Sequence, residues 1–172
     1  MTSLYQTALG DDFERLSPLL RQFHREPCVP WQGCVDVSWP RQAMLRILLG
    51  LGRLPHEGQD RSLRVEVREN GAVEHWQRNF AGRLMASRQY LTRDGLCERF
   101  GPFTLLLESR VDNGELRQRS VRTRFCGIPL PAVLALQVGA REWQENGRFH
   151  FDVAIGVGNS PLLRYFGSLL PG

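Results

Sequence analysis

Trp76, Arg78 and Phe80 alternate along one short stretch, so in an extended strand they share a face. Facing a cavity, the trio sets a guanidinium between two aromatic rings, where it receives a carboxylate or phosphate. Facing water, the arginine stem only covers aromatic surface. Arg122 and Arg124 share a face in the same way, as do Arg88 and Tyr90. Turned inward, these arginines line one cavity, and Glu142 is the natural partner for one of them. Turned outward, they are solvated sheet surface. The ligand-binding set is therefore Trp76, Arg78, Arg88, Tyr90, Arg122 and Glu142. His150 and Asp152 alternate on a face opposite Phe149 and Phe151. They read either as a proton-transfer pair, with the carboxylate orienting the imidazole, or as the wet face of an amphipathic strand. His150 and Glu142 are the candidate catalytic bases. His24 closes the first helical segment, where a cation suits the helix dipole.

Other chemistries are excluded. All 22 basic residues are arginine, so Schiff-base chemistry and a lysine base are absent. No serine sits in a G-x-S-x-G elbow. Gly50-Leu-Gly52 and Gly156-Val-Gly158 are too short for a phosphate or dinucleotide loop. There is no HExxH and no acidic metal cluster. Cys28, Cys34, Cys97 and Cys126 form no CxxC pair and read as free thiols. No cofactor or metal is expected. The net charge of +4 is mild and acidic residues are interspersed with the arginines, as in Arg64-Val65-Glu66-Val67-Arg68-Glu69, so no nucleic-acid partner is expected. No apolar run reaches the roughly 20 residues of a membrane span. The N-terminus lacks the basic start and apolar segment of a signal peptide, so a cytoplasmic protein is expected.

The elements that must hold these residues change period along the chain. Thr2 or Ser3 caps a turn carrying Leu4, Tyr5, Ala8 and Leu9, which Gly10 ends. Asp11 or Asp12 caps another with Phe13 and Leu16, and Ser17-Pro18 restarts the helix through Leu19, Leu20 and Phe23. Gly33 to Ser38 is a short strand, Pro40 opens a helix through Met44, Leu45, Leu48 and Leu49, and Leu54 to Asp60 reads as a polar loop. From Leu63 the period becomes two. Asn70-Gly71, Asp94-Gly95, Asn113-Gly114 and Asn146-Gly147 are hairpin signals between alternating runs. Gly127 to Pro131 is a crossing segment, and Leu162 to Leu169 closes the sheet. The 172 residues form one α+β domain: a helical segment over 1–55 packed on a curved antiparallel sheet or half-barrel of about eight or nine strands over 61–170.

The chain resembles a bacterial family catalogued as domain of unknown function 4166. The resemblance rests on Leu4-Tyr5, Leu9-Gly10-Asp11-Asp12-Phe13 with Leu16, then Arg21 and His24, and on Trp76-x-Arg78-x-Phe80-x-Gly82 with Ser87. It continues through Gly127-x-Pro129-Leu130-Pro131, Glu142, Phe149-x-Phe151-Asp152-Val153 and Arg164-Tyr165-x-Gly167-x-Leu169, with Ser168 where an aromatic is expected. The resemblance implies no activity. It implies a domain found alone or joined to saccharopine-dehydrogenase-like nucleotide-binding domains, which makes such a protein an expected partner by analogy.

Three functions are compatible with these residues. The first is a non-catalytic binding domain for a small amphipathic or anionic, lipid-like molecule in a barrel-type cavity. The second is a cofactor-independent isomerase or hydrolase acting on a hydrophobic substrate. The third is an interaction module docking on the dehydrogenase-like partner through an exposed apolar patch.

Overall fold

A computed structural model describes residues 2–26, 28–40 and 54–172. The helix expected through Met44 to Leu49 lies outside the described residues. α1 (Leu4–Leu9) begins where Ser3 and Gln6 cap each other reciprocally, and Gly10 ends it with a φ of 56°. A 3-10 segment (Gly10–Arg15) leads to α2 (Pro18–Arg25), which proline opens. Tyr5, Phe13, Leu20 and Phe23 face one way and are buried.

The strands are β1 (Trp31–Ser38), β2 (Gly58–Asn70), β3 (Val73–Phe80), β4 (Arg83–Thr92), β5 (Gly95–Phe100), β6 (Phe103–Asp112), β7 (Glu115–Phe125), β8 (Ile128–Pro129), β9 (Leu136–Glu145), β10 (Arg148–Val157) and β11 (Ser160–Pro171). β2 starts inside the stretch expected as loop. Successive strands are antiparallel neighbours, because tight turns allow nothing else. Asn113 and Gly114, at φ 51° and 83°, show the backbone such a turn requires. The two-residue β8 folds back on the end of β7, and β9 pairs with β7 beyond it. β11 then pairs with β1 along its whole length, from Trp31 opposite Pro171 to Ser38 opposite Arg164.

The product is a closed barrel of ten strands with β8 as an appendage, where the sequence predicted a half-barrel of eight or nine. Closure removes both sheet edges. At the β1–β11 seam the backbones run unusually close. A Cβ on Gly33 would overlap the Ser168 carbonyl, and one on Gly167 would overlap the Cys34 carbonyl. β1 enters at the helical mouth, so α1, the 3-10 segment and α2 plug that end.

Candidate functional site

Alternation fixes what enters the lumen. β10 contributes Phe149 and Phe151, β2 contributes Leu63, Val65 and Val67, and β3 contributes Trp76 and Phe80, all buried. The helical plug meets them as rings: Phe23 stacks on Phe149 at 4.5 Å between centroids and stands edge-on to Trp31 at 5.2 Å. Tyr5 lies 3.9 Å from the His24 ring. Beneath the plug remains a cavity of about 110 Å³, walled by Leu63, Val65, Leu105, Val138, Phe151 and Tyr165 among others.

A few polar groups converge on that apolar space. Arg78 lies over Trp76, its Cζ 4.9 Å from the ring centroid, as the Trp76–Arg78 spacing predicts. Phe80 does not flank it but packs edge-on to Tyr165 at 5.4 Å. Arg78 Nη1 donates to Ser87 Oγ at 2.9 Å, and Nη2 lies 3.4 Å from Glu98 Oε1. The two charged side chains are only 15% and 16% exposed, and both line the cavity. Burial opposes the charge of Arg78, but the Glu98 carboxylate beside it holds the guanidinium above its ordinary value.

Glu142 also faces the lumen, but its partner is not an arginine. Its Oε2 lies 2.6 Å from Nε2 of His24, whose side chain is fully buried. His24 sits in the last turn of α2, as the sequence suggests, with its buried ring turned to Glu142, and its Nδ1 makes no hydrogen bond. Burial first, then the carboxylates of Glu142, Glu74 and Glu98, push the Tyr5 hydroxyl well above its usual range. Burial likewise carries Tyr165 up to about 12. Both phenols are therefore neutral donors at pH 7.

Glu74 completes this end of the barrel. Its Oε2 accepts from Trp76 Nε1 at 3.0 Å, while its Oε1 is buried without a partner. It stands directly opposite Gln89, whose Oε1 is also buried and unpartnered. Burial raises the Glu74 pKa above its ordinary value near 4.5, against the hydrogen bond from Trp76. A raised carboxyl pKa means that the native state holds this proton more tightly than the unfolded chain does. Its contribution is therefore fully present below the unfolded pKa and is lost as pH rises through the folded one. Glu74→Gln should raise stability at neutral pH and flatten its fall above about pH 4.5. Urea titrations at a series of pH values check this, and an unchanged slope contradicts it.

No curated protein sequence matches the chain. The model of one family, Domain of unknown function (DUF4166), matches residues 16–169, which include His24, Arg78, Glu98, Glu142 and every strand but the last residues of β11. The chain belongs to the DUF4166 family. Tyr5 and the rest of α1 precede the stretch matched to DUF4166. Among solved structures, an abundant heat soluble (SAHS) protein from Ramazzottius varieornatus is similar at 10% identity and a TM-score of 0.41, covering 81% of this chain and 92% of that one.

In this DUF4166 barrel three of the expected lumen residues lie on the outside. β4 sends Met85, Ser87 and Gln89 inward, so Arg88 is exposed and Tyr90 lies on the outer wall. The small polar Ser87 and Gln89 hide the inward phase of that strand from a hydrophobicity pattern. Arg122 is exposed because β7 carries a bulge: Leu106 pairs with Arg122 but Leu107 with Ser120, leaving Val121 unpaired. Leu116 and Gln118 face in before the bulge, and Thr123 faces in after it. Arg124 follows Arg122 outward. His150 stacks on Trp143 at 5.4 Å on the outer wall, and Arg164 grips Asp152 through two bonds of 2.9 and 2.6 Å. The His150–Asp152 proton-transfer pair therefore does not form. Among the described residues, no group of three His, Cys, Asp or Glu side chains is placed to hold a metal ion, all four cysteines are free, and no helix is long and apolar enough to cross a membrane.

The spacing missed Glu98, Gln89 and Glu74. Glu98 falls in phase with Leu96 and Phe100, and Glu74 with Trp76 and Arg78, so a phase count along β5 and β3 contained the signal.

Proposed function

We propose that this DUF4166 domain is a non-catalytic binding protein that holds a small, compact, amphipathic molecule in the barrel lumen. The observation that carries the reading is the largely apolar cavity with Arg78, Glu98, Glu142 and Gln89 set into its wall. At roughly 10–15 Å³ per water position, about 110 Å³ accepts a single ring or a short chain rather than a long acyl tail. Arg78 already faces Glu98, and Glu142 adds a further carboxylate, so the wall favours an uncharged polar group over an anion.

Toluene and phenol are suitable probes, followed by methyl NMR at Val65, Leu105 and Val138. Saturable shifts confined to the lumen are expected. Ala140→Leu directs an isobutyl group into the same space and should weaken binding about tenfold or more. Absence of saturable shifts, or equal binding by the variant, ends the reading.

A second reading is a cofactor-independent isomerase or hydrolase acting on a hydrophobic substrate, with Glu142 as base. It is favoured by one observation: a cavity-facing carboxylate backed by an imidazole at 2.6 Å. Glu142→Gln separates the two, since it abolishes turnover in this case and leaves probe binding measurable in the first. Docking on a saccharopine-dehydrogenase-like partner is a separate proposal. It rests on exposed Ile128, Val133 and Leu134 in the β7–β9 connection.

A further inference from the structure

The outer wall treats its arginines in two ways. Over β6, β7, β9 and β11, Arg110 and Arg119 meet Glu108, Arg117 and Arg141 meet Glu115, and Arg164 meets Asp152. Over β4, β5 and β7 the pattern stops. Arg88, Arg99 and Arg124 on the strands and Arg93 in the β4–β5 turn are exposed and form no ion pair among the described residues. Arg122 alone holds a carboxylate, Asp94, at 3.1 Å. Five arginines against one aspartate leave a surplus of four on this face.

Register explains this surplus. Arg88 stands directly opposite Arg99, Arg99 opposite Thr104, and Thr104 opposite Arg124, so one row across four strands carries three arginines. Like charges directly opposite each other are destabilising. The next row holds Tyr90, Cys97, Leu106 and Arg122. Here the outer surface forms a groove of about 370 Å³, lined by Tyr90, Leu106 and Cys97 with Arg93, Arg122 and Arg124. Cys97 is buried, and the arginines stand exposed around it.

We propose that this groove is a binding site for an organic phosphate of mononucleotide size carrying a flat apolar part. Guanidinium groups bind phosphate oxygens through paired, charge-assisted hydrogen bonds, and Arg93, Arg122 and Arg124 supply such donors around one space. Tyr90 and Leu106 supply the surface on which a ring rests. The volume lies within the range of small-molecule sites. Asp94 is the one opposing charge, and it yields Arg122 to the incoming phosphate. The site lies on the outer face, is independent of the lumen, and unites Tyr90 and Arg122, with Arg88 in the adjacent row, although not in the cavity the sequence suggested.

Isothermal titration in low-salt buffer with adenosine monophosphate, adenosine and inorganic phosphate tests it. The nucleotide should bind at least tenfold more tightly than either part, with affinity falling as salt rises. Arg122→Gln with Arg124→Gln should weaken it at least tenfold. Both side chains are exposed, so the fold should survive, which circular dichroism verifies. Arg110→Gln with Arg119→Gln, on the neutralised wall, should leave binding unchanged. Three results overturn the proposal: adenosine or inorganic phosphate matching the nucleotide; the groove double variant binding like the parent; or phosphatidylglycerol vesicles or a thymidine oligonucleotide binding where the nucleotide does not.

Discussion

Arg78→Met should lower the unfolding free energy by about 3–5 kcal/mol, because it leaves Glu98 in the lumen wall without its cation. The cost comes less from the lost attraction than from the stranded carboxylate, which keeps its desolvation penalty and loses its compensation. Adding Glu98→Gln to the same chain should therefore recover a large part of the loss. Ser87 loses its guanidinium donor in both variants, so it cancels in the comparison. Guanidinium chloride denaturation of the parent, both single variants and the double variant closes the cycle. Additive losses would show that Arg78 and Glu98 are not energetically coupled.

Gly33→Ala should be comparably damaging, at about 3 kcal/mol or more, through a different mechanism. Its added methyl would meet the Ser168 carbonyl, a backbone atom of the hydrogen-bonded partner strand, so no side-chain rotation relieves the overlap. Gly167→Ala should behave alike against Cys34. Gly139→Ala is the control: nothing lies within 4 Å of the new atom, and loss of glycine's freedom in the unfolded chain should make it neutral or stabilising by up to about 1 kcal/mol. Thermal melts of the three variants check the order. A Gly33→Ala melt equal to that of the parent contradicts the close seam.

These effects also show where the sequence was readable. Hairpins were legible because Asn113-Gly114 and Asn146-Gly147 carry their own backbone requirement. The inward face of β10 was legible because Phe149 and Phe151 outweigh the residues between them. Closure was harder: turn signals count hairpins, but nothing local marks the pairing of β1 with β11. The site was legible at Trp76 and Arg78, where aromatic and charge share a phase. It was lost in β7, where one unpaired residue at Val121 reverses the faces beyond it. Glu142 was visible as an inward carboxylate. Its partner was not, since His24 lies 118 residues away and reaches it only because α2 plugs the barrel.

The pairing of first and last strands has a consequence for how the molecule is made. Ser38 bonds to the carbonyl of Arg164, 126 residues further on. During synthesis β1 can acquire β2 as a neighbour early, yet its other side stays bare until β11 arrives. The nascent ribbon thus carries a sticky margin through most of translation, and long-separation contacts of this kind slow folding. Gln32 and Gly33 on that margin are where a chaperone, or a second unfinished copy, would find an open edge.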